Sequence, residues 1–183
     1  MEKEKITRRI DIPEGYFFII EEDVFVLKKD GKELRKRIKI PRNISLRKEN
    51  NSIFIEPSKK STKKESKIIG TIEAHIKNMI RGLDKPFVYK MEACYAHFPM
   101  TLKVEGDKLV IRNFLGEKVP RYADILPGVK VEIKGNILEV SSEDIDSVGQ
   151  TVANIERATK IKERDRRVFQ DGIFLVEKDG REI

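Results

Sequence analysis

The sequence predicts an α+β protein of two tandem duplicated domains, each an antiparallel β-sheet with one α-helix packed on a face. Three observations predict this class: four prolines form two pairs with the same spacing, each proline precedes the same pair of short runs, and each half continues into an amphipathic segment. Pro13 and Pro41 are 28 residues apart, as are Pro99 and Pro127, and each lies 86 residues from its counterpart. A fixed interval of this kind indicates an internal duplication.

Each proline introduces a predicted β-hairpin. The four segments are "PEGYFFIIEEDVFVL", "PRNISLRKENNSIFIE", "PMTLKVEGDKLVIR" and "PGVKVEIKGNILEV". Apolar residues alternate with polar ones, as in Val129, Val131 and Ile133, and turn residues separate the two runs, which is typical of antiparallel strands. A further match between "VFVLKKDGKELRKRI" and "LVIRNFLGEKVPRYA" extends the repeat between the hairpins.

A helical segment follows the second hairpin of each half. "SKIIGTIEAHIKNMIRG" and "DIDSVGQTVANIERATK" carry apolar residues three and four positions apart, so each predicts an amphipathic helix that needs a sheet to cover it. We expect Ser66 to cap the first helix and Asp144 or Asp146 the second, with Gly82 ending the first. Residues 59–67 are predicted to be a flexible basic loop before the first helix.

These elements predict domains at residues 1–82 and 83–183. The second domain includes a connecting strand at 87–91, a helix ending near Ile161 or Lys162, a basic tail and a last strand at 173–177. In the tail, Val168 and Phe169 are expected to anchor the chain, and Asp171 and Gly172 to form a closing turn. The charges of the tail then lie beyond the duplicated unit.

The positive charge of the chain is concentrated in its first half. The chain carries a net charge of +7, but residues 1–82 hold 21 basic and 13 acidic residues, and the rest holds 17 and 18. "GKELRKRIKIPRNISLRK" alone contains eight basic residues and one acidic residue. A dense basic block favours binding to a polyanion, while lysines that protect sheet edges from aggregation are the alternative interpretation.

The sequence does not indicate an enzyme. It lacks the H-E-x-x-H, paired C-x-x-C, Walker and G-x-G-x-x-G motifs, and its histidines and single cysteine, Cys94, lie in segments predicted to be regular structure. Acidic clusters fall at expected turns and helix starts, so no metal site, cofactor or small-molecule substrate is predicted. No run reaches the length of a membrane span and the first residues do not resemble a secretory signal, which predicts a cytoplasmic location.

Several segments of the second half resemble one protein family. "YAHFPM", "IRNFLGEK" and above all "ATKIKERDRRVFQDGIFLVEK" are similar to the archaeal and eukaryotic branch of the large-subunit ribosomal protein six family. The family's duplicated sheet-plus-helix domain agrees with the internal repeat. The resemblance implies a structural protein, not an enzyme, that binds large-subunit rRNA near the stalk base, the factor-binding region and the sarcin-ricin loop. It also implies neighbouring ribosomal proteins, including those of the stalk base, and nearby translation factors.

The resemblance places the RNA contacts in the second domain and the tail. The implied rRNA-binding residues are Arg112, Asn113, Gly116, Lys118, Lys160, Lys162, Arg164, Arg166, Arg167, Gln170 and Gly172. Arginine can give a phosphate two parallel hydrogen bonds, and glycine lets a backbone approach closely. For Arg112, a cross-strand ion pair with Glu132 or Glu139 is an equal alternative.

The first-half block predicts an auxiliary contact with RNA or a neighbouring protein. Its expected residues are Arg35, Arg37, Lys39 and Arg42; along a strand, Arg35, Arg37 and Lys39 share one face while Lys36 faces the core edge. An extra-ribosomal RNA-binding module, or one that adds a strand to a partner's sheet, is the alternative function.

Overall fold

A computed structural model describes residues 7–21, 23–58, 62–165 and 167–183. The chain divides into two compact units, Met1–Lys85 and Pro86–Ile183, called unit one and unit two below. None of the helices within the described ranges has the length and apolar character that spanning a membrane requires.

Unit one contains two three-stranded antiparallel sheets and a long helix. Its elements are β1 (Arg8–Asp11), β2 (Phe17–Glu21), β3 (Val24–Lys29), β4 (Lys32–Arg37), β5 (Ile44–Glu49), β6 (Ser52–Pro57) and α1 (Lys63–Asp84). The sheets have the orders β2-β3-β4 and β1-β6-β5, and the predicted hairpins are the pairs β2/β3 and β5/β6. Ile72 and Ile76 of α1 are buried with Phe25 of one sheet and Ile55 of the other, so one core serves both sheets.

Unit two repeats this plan and adds strands after its helix. Its elements are β7 (Phe87–Cys94), β8 (Thr101–Glu105), β9 (Lys108–Arg112), β10 (Arg121–Asp124), β11 (Lys130–Lys134), β12 (Ile137–Ser142), α2 (Ile145–Ala158), β13 (Gly172–Lys178) and β14 (Arg181–Glu182). The sheets have the orders β10-β9-β8 and β11-β12-β7-β13-β14. Val152 and Ile155 of α2 are buried with Ile111 and Val140 from the two sheets. The predicted α+β class is therefore confirmed, with two sheets in each unit.

The strand β7 has a different place in the repeat from the one predicted. It pairs antiparallel with β12, as β1 pairs antiparallel with β6. The strand predicted at 87–91 is present, but its role as a connection is wrong, because its pairing with β12 makes β7 the first strand of the second repeat. β13 then pairs with the other edge of β7 and has no counterpart among the described strands of unit one.

Both helix boundaries predicted for α1 are wrong. Thr62, not Ser66, is the N-cap, and it forms a capping box with Glu65. The basic residues from Lys63 therefore lie in the helix, not in a loop, while 59–61 fall outside the described residues. Gly82 does not end the helix, since Leu83 is buried in the same core and the helix continues to Asp84.

The cap predicted for α2 is confirmed, but its end is not. Asp144 is the N-cap and accepts hydrogen bonds from the backbone of Asp146 and Ser147. The helix ends at Ala158, before the predicted Ile161 or Lys162, and Thr159 is its C-cap. The tail is therefore longer than the sequence indicated.

Candidate nucleic-acid interface

The 113–118 loop between β9 and β10 has an unusual backbone that its residues support. Asn113, Leu115 and Gly116 all have positive φ angles, of 60°, 50° and 77°. Asn113 adopts this conformation more readily than most residues and donates from Nδ2 to the carbonyl of Pro99 at 3.0 Å. The side-chain amide of Asn113, which is expected to contact RNA, therefore already donates one hydrogen bond within the protein.

An aromatic ring covers Gly116. A Cβ atom at Gly116 would lie 3.3 Å from the ring of Phe98, on a backbone whose φ already favours glycine. Phe98 thus occupies the space beside Gly116, where the sequence analysis expected a close approach between the protein backbone and RNA.

Arg121 connects the 113–118 loop to the end of α2. Its guanidinium donates to both carboxylate oxygens of Glu117, at 2.8 and 2.6 Å, and lies 4.3 Å over the ring of Phe114. The Nη1 atom of Arg121 donates to the carbonyls of Ala158 at 2.9 Å and Lys160 at 3.2 Å. The hydrogen bonds from Arg121 lower the pKa of Glu117. The fork thereby brings together two segments that are about forty residues apart in sequence.

Thr159 fixes where the tail segment, residues 160–171, leaves and rejoins the fold. Its side chain is buried, and its Oγ1 lies 3.4 Å from the carbonyl of Ile155 and 3.3 Å from that of Glu156. The same oxygen accepts a hydrogen bond from the backbone N–H of Ile173 at 3.0 Å. The hydroxyl of Thr159 therefore connects the two ends of the tail.

The predicted basic residues of the tail are exposed. Arg164 lies 4.9 Å over the ring of Phe169, and Arg167 pairs with Asp165 through its guanidinium at 2.8 Å and through its backbone N–H at 2.9 Å. Hydrogen bonds from Arg167 lower the pKa of Asp165. The exposed members of the predicted set in this segment are Lys160, Lys162, Arg164, Arg167 and Gln170. Arg166 lies outside the described residues.

Of the two residues predicted to anchor the tail, Phe169 does so and Val168 does not. Val168 is 60% exposed, so its predicted anchoring role is wrong. Phe169 packs against the core of unit two and stacks on His97, with ring centroids 5.0 Å apart. Nδ1 of His97 lies 3.2 Å from Oδ1 of Asp171, an oxygen that also accepts from the backbone N–H of Ala96.

Asp171 and Gly172 do not form the predicted closing turn. Asp171 is 1% exposed, and Gly172 is the first residue of β13, where it pairs with Cys94. A Cβ at Gly172 would lie 2.6 Å from the ring of Phe174. The close approach at Gly172 is therefore made by the protein's own Phe174 side chain, which would have to turn aside for a larger residue.

The predicted alternative for Arg112 is wrong. β9 pairs with β8 and β10, whereas Glu132 and Glu139 belong to the other sheet, where Lys130 and Lys134 bind them. The two sheets have separate hydrogen-bond ladders, so a cross-strand pair cannot form. Arg112 is exposed immediately before the 113–118 loop, and Lys118 is exposed at its end.

The auxiliary residues of unit one lie on or after an edge strand. In β4, Arg35 and Arg37 are exposed while Lys36 is half-buried, which confirms the predicted alternation. The side chain of Arg35 is bound by Glu33, which raises the pKa of Arg35. Lys39 and Arg42 are exposed beyond the strand.

Sequence reasoning missed the residues that position the site. Arg121, Thr159 and Asp171 are single polar residues whose partners are distant in sequence, so no spacing signals them. The segment "YAHF" did offer a signal for packing against the tail. Its aromatic and histidine side chains precede a proline, and His97 stacks on Phe169 of the tail. Among the described residues, no group of three or more His, Cys, Asp or Glu could hold a metal ion.

Comparison with known proteins covers this same region and nearly the whole chain. The family model described as "Ribosomal protein L6" matches residues 98–172. A large ribosomal subunit protein uL6 from Aeropyrum pernix is 43% identical over 176 residues, or 95% of each chain. Proteins of the same name are 42% identical in Methanococcus vannielii, over 96% of each chain, and 44% identical in Methanosarcina mazei, over 95% of this chain and 98% of the relative. The chain therefore belongs to the ribosomal protein L6 (uL6) family.

Proposed function

We propose that this chain is a structural, non-enzymatic constituent of the large ribosomal subunit and binds its rRNA through one surface of unit two. The basic surface of unit two comprises Arg112, Lys118, Lys160, Lys162, Arg164 and Arg167. Its place near the stalk base, the factor-binding region and the sarcin-ricin loop, in the cytoplasm, is part of the same proposal. Neighbouring large-subunit proteins are further partners.

The fork of Arg121 is the observation that carries this proposal. The 113–118 loop and the start of the tail contribute basic residues from distant parts of the sequence, and Arg121 bonds to both. A folded RNA offers phosphates on a rigid backbone, so a cationic surface has to be fixed in shape to match it. Arg121 supplies that rigidity, and we do not assign it an RNA contact because Glu117 neutralises its charge.

The exposed cations suit A-form RNA. The bases of an RNA duplex are hidden in a deep, narrow major groove, so a docking protein contacts mainly phosphates and 2′-hydroxyls. Lys160, Lys162 and Arg164 are exposed and form no ion pair with an acid in the part of the chain that the structure describes, whereas Arg167 is held by Asp165. We therefore assign the larger part of the phosphate binding to the first three, and a weaker part to Arg167.

The exposed block of unit one acts as an auxiliary contact. Arg37, Lys39 and Arg42 project from the end of β4 and the chain after it. Arg35 contributes less, because Glu33 already binds it. These residues contact RNA or an adjacent ribosomal protein, and charge reversal at Arg37 and Lys39 weakens assembly less than charge reversal in the tail.

A charge-reversal experiment tests the proposal. The variant with Lys160, Lys162 and Arg164 replaced by Glu is compared with a matched control in which Lys103, Lys108 and Lys130 become Glu. Binding to a large-subunit rRNA fragment is measured from 50 to 200 mM salt. If about six phosphates are neutralised, the wild-type affinity falls roughly a thousandfold over this range. The tail variant loses affinity and its salt slope decreases by about three; the control changes both far less.

A second variant separates positioning from charge. Arg121→Lys keeps the positive charge but loses the planar fork that reaches Glu117 and the two carbonyls at once. We expect weaker rRNA binding at unchanged net charge, with Arg47→Lys in unit one as the matched control. Equal losses from the tail and control charge reversals would contradict the proposed surface. Protein that leaves the large subunit at moderate salt, while still binding RNA, would favour the extra-ribosomal module instead.

A further inference from the structure

We propose that a groove in unit two binds one unstacked nucleotide of the rRNA, with a guanine base directed at Asp171. This inference rests on the proposed function, because it specifies what the tail surface contacts. The groove has a volume of about 1030 Å³ and is bounded by the last turn of α2, the end of β7, the tail and the start of β13. A space of this size accommodates a nucleotide.

Three aromatic side chains line the groove. Tyr95 is 40% exposed and Phe174 43% exposed, although both are large apolar groups next to a buried core. Phe169 lines the groove beside them, but its ring already stacks on His97 and lies under Arg164, so we assign the base to Tyr95 and Phe174. Unstacked RNA bases bind to proteins by stacking on such rings. The ring of Phe174 lies over Gly172, which has no Cβ to displace it.

The rim of the groove carries two cations and one acid, Glu156, whose Oε1 accepts a hydrogen bond from the backbone N–H of Leu175. Arg157 lies in the last turn of α2 and Lys160 follows the helix, and both are exposed lining residues. Lys160 is also a member of the basic surface of unit two, so the groove opens beside the residues assigned to phosphate binding. A nucleotide leaving that surface would keep its phosphate near Arg157 and Lys160 while its base enters the groove.

Asp171 provides the specific group. Its Oδ1 accepts from the N–H of Ala96 and faces Nδ1 of His97, but its Oδ2 is buried and has no hydrogen-bond partner among the described residues. A buried acceptor without a partner is costly, so a ligand that brings a donor is favoured there. An ionised carboxylate only accepts hydrogen bonds, and the N1–H and N2 amino groups of guanine are two adjacent donors.

Oδ2 is closed to solvent, so the inference requires that an exposed side chain of the groove turns aside to admit the base. Tyr95 and Gln170 are exposed lining residues, and exposed side chains change rotamer within nanoseconds. The cost of this movement falls equally on every base, so selectivity still comes from the donors that meet Asp171.

Oligoribonucleotide binding to the full chain tests the inference. Fluorescence anisotropy compares a labelled heptamer of uridines with heptamers that carry a central guanosine, adenosine, cytidine or inosine, at fixed salt. We expect guanosine to bind roughly tenfold more tightly than uridine. Inosine lacks the N2 amino group and should lose much of the gain, which tests the base edge without altering the protein.

Two variants test the protein side. Asp171→Asn keeps an acceptor for Ala96 but offers an amide donor in place of an acceptor, so the guanosine preference should disappear while uridine binding persists; Asp107→Asn in an exposed turn is the control. Phe174→Leu should weaken every heptamer about tenfold, with Phe17→Leu in unit one as its control. If Asp171→Asn fails to fold, the inosine comparison and Phe174→Leu still decide.

Equal binding of guanosine and uridine heptamers would overturn the inference, as would a guanosine preference that survives in Asp171→Asn. Tighter binding of an arginine-containing peptide than of any heptamer would assign the groove to a protein neighbour and overturn it too. The proposed function is tested separately. The charge-reversal variants are measured on the rRNA fragment, and their loss of salt-dependent affinity does not require a base preference in the groove.

Discussion

The two units repeat one strand order but treat the end of the helix differently. In unit one, Asp84 at the end of α1 binds Lys29 and accepts a hydrogen bond from Tyr16, and the chain passes directly to β7. In unit two, Thr159 closes α2, the tail follows, and β13 returns to the sheet beside β7. The added strand gives the tail two fixed ends. The copies therefore differ at the segment that we propose binds rRNA.

The two halves of the chain also differ in net charge. The excess of basic residues lies in residues 1–82, while the surface proposed for rRNA lies in a half that is nearly neutral. In unit two, acids such as Glu117 and Asp165 are used to hold arginines, so they cancel in the net charge without removing the exposed lysines. The net charge of a half therefore does not locate the proposed surface, whose residues come from the family resemblance and are exposed in the structure.

The largest expected effect is the loss of a core side chain in one unit. Ile76 of α1 and Ile155 of α2 are fully buried in separate clusters and hold similar positions in the repeat. Each substitution to Ala should lower the free energy of unfolding by about 2–5 kcal/mol. Hydrogen exchange resolved along the chain should show Ile76→Ala acting mainly on unit one and Ile155→Ala on unit two. Equal acceleration in both units would show that the copies unfold together.

A smaller effect is expected where unit two departs from unit one. Thr159→Val keeps the shape of the side chain but leaves the buried N–H of Ile173 without its acceptor, which should cost about 1–3 kcal/mol of unfolding free energy. Amide exchange in β13 should accelerate most. Thr71→Val is the matched control, since exposed Thr71 donates to the carbonyl of Lys67 within α1 and its change should stay within about 0.5 kcal/mol. Similar losses in the two variants would remove the special role of Thr159.

The sequence predicted the parts of the fold that depend on periodicity. All four hairpins, both helices and the cap at Asp144 follow from alternation, from three- and four-residue spacing and from local side-chain chemistry. The role of β7 could not be predicted, because its pairing with β12 is nonlocal and a strand between two helical segments fits either repeat. The end of α1 was misplaced because burial of Leu83 outweighs the weak helix preference of Gly82.

The candidate site was predicted only at its charged surface. Exposed lysines and arginines could be identified from the resemblance, but their placement depends on Arg121, whose partners are carbonyls and one carboxylate brought close by the fold. Gly116 and Gly172 were assigned to contact with RNA, yet Phe98 and Phe174 occupy the space beside them. At these two glycines a side chain of the protein approaches closely, which the sequence could not show.

The helix caps allow a finer comparison of the repeats. Thr62 caps α1 through its hydroxyl, and Asp144 caps α2 through both carboxylate oxygens. Thr62→Ala and Asp144→Ala should each lower the free energy of unfolding by about 1 kcal/mol. Chemical denaturation measures both losses, and exchange in the first helical turn locates them. If Thr62→Ala leaves the first turn of α1 unchanged, Glu65 alone is sufficient to hold that end.

The smallest effect is a pH dependence confined to the start of α1. A side-chain hydrogen bond from Thr62, followed by backbone hydrogen bonds, lowers the pKa of Glu65 from 4.5 to about 2. Because the folded pKa lies below the unfolded one, the stabilisation is complete above pH 4.5 and is lost as the pH falls through about 2. The helical signal of wild-type protein should therefore exceed that of Glu65→Gln at pH 6, and the difference should shrink steadily towards pH 2. Chemical shifts of residues in the first turn follow this directly. In a Thr62→Ala background the difference should be smaller at pH 6, and a difference that stays constant with pH would show that the Glu65 charge does not stabilise the cap.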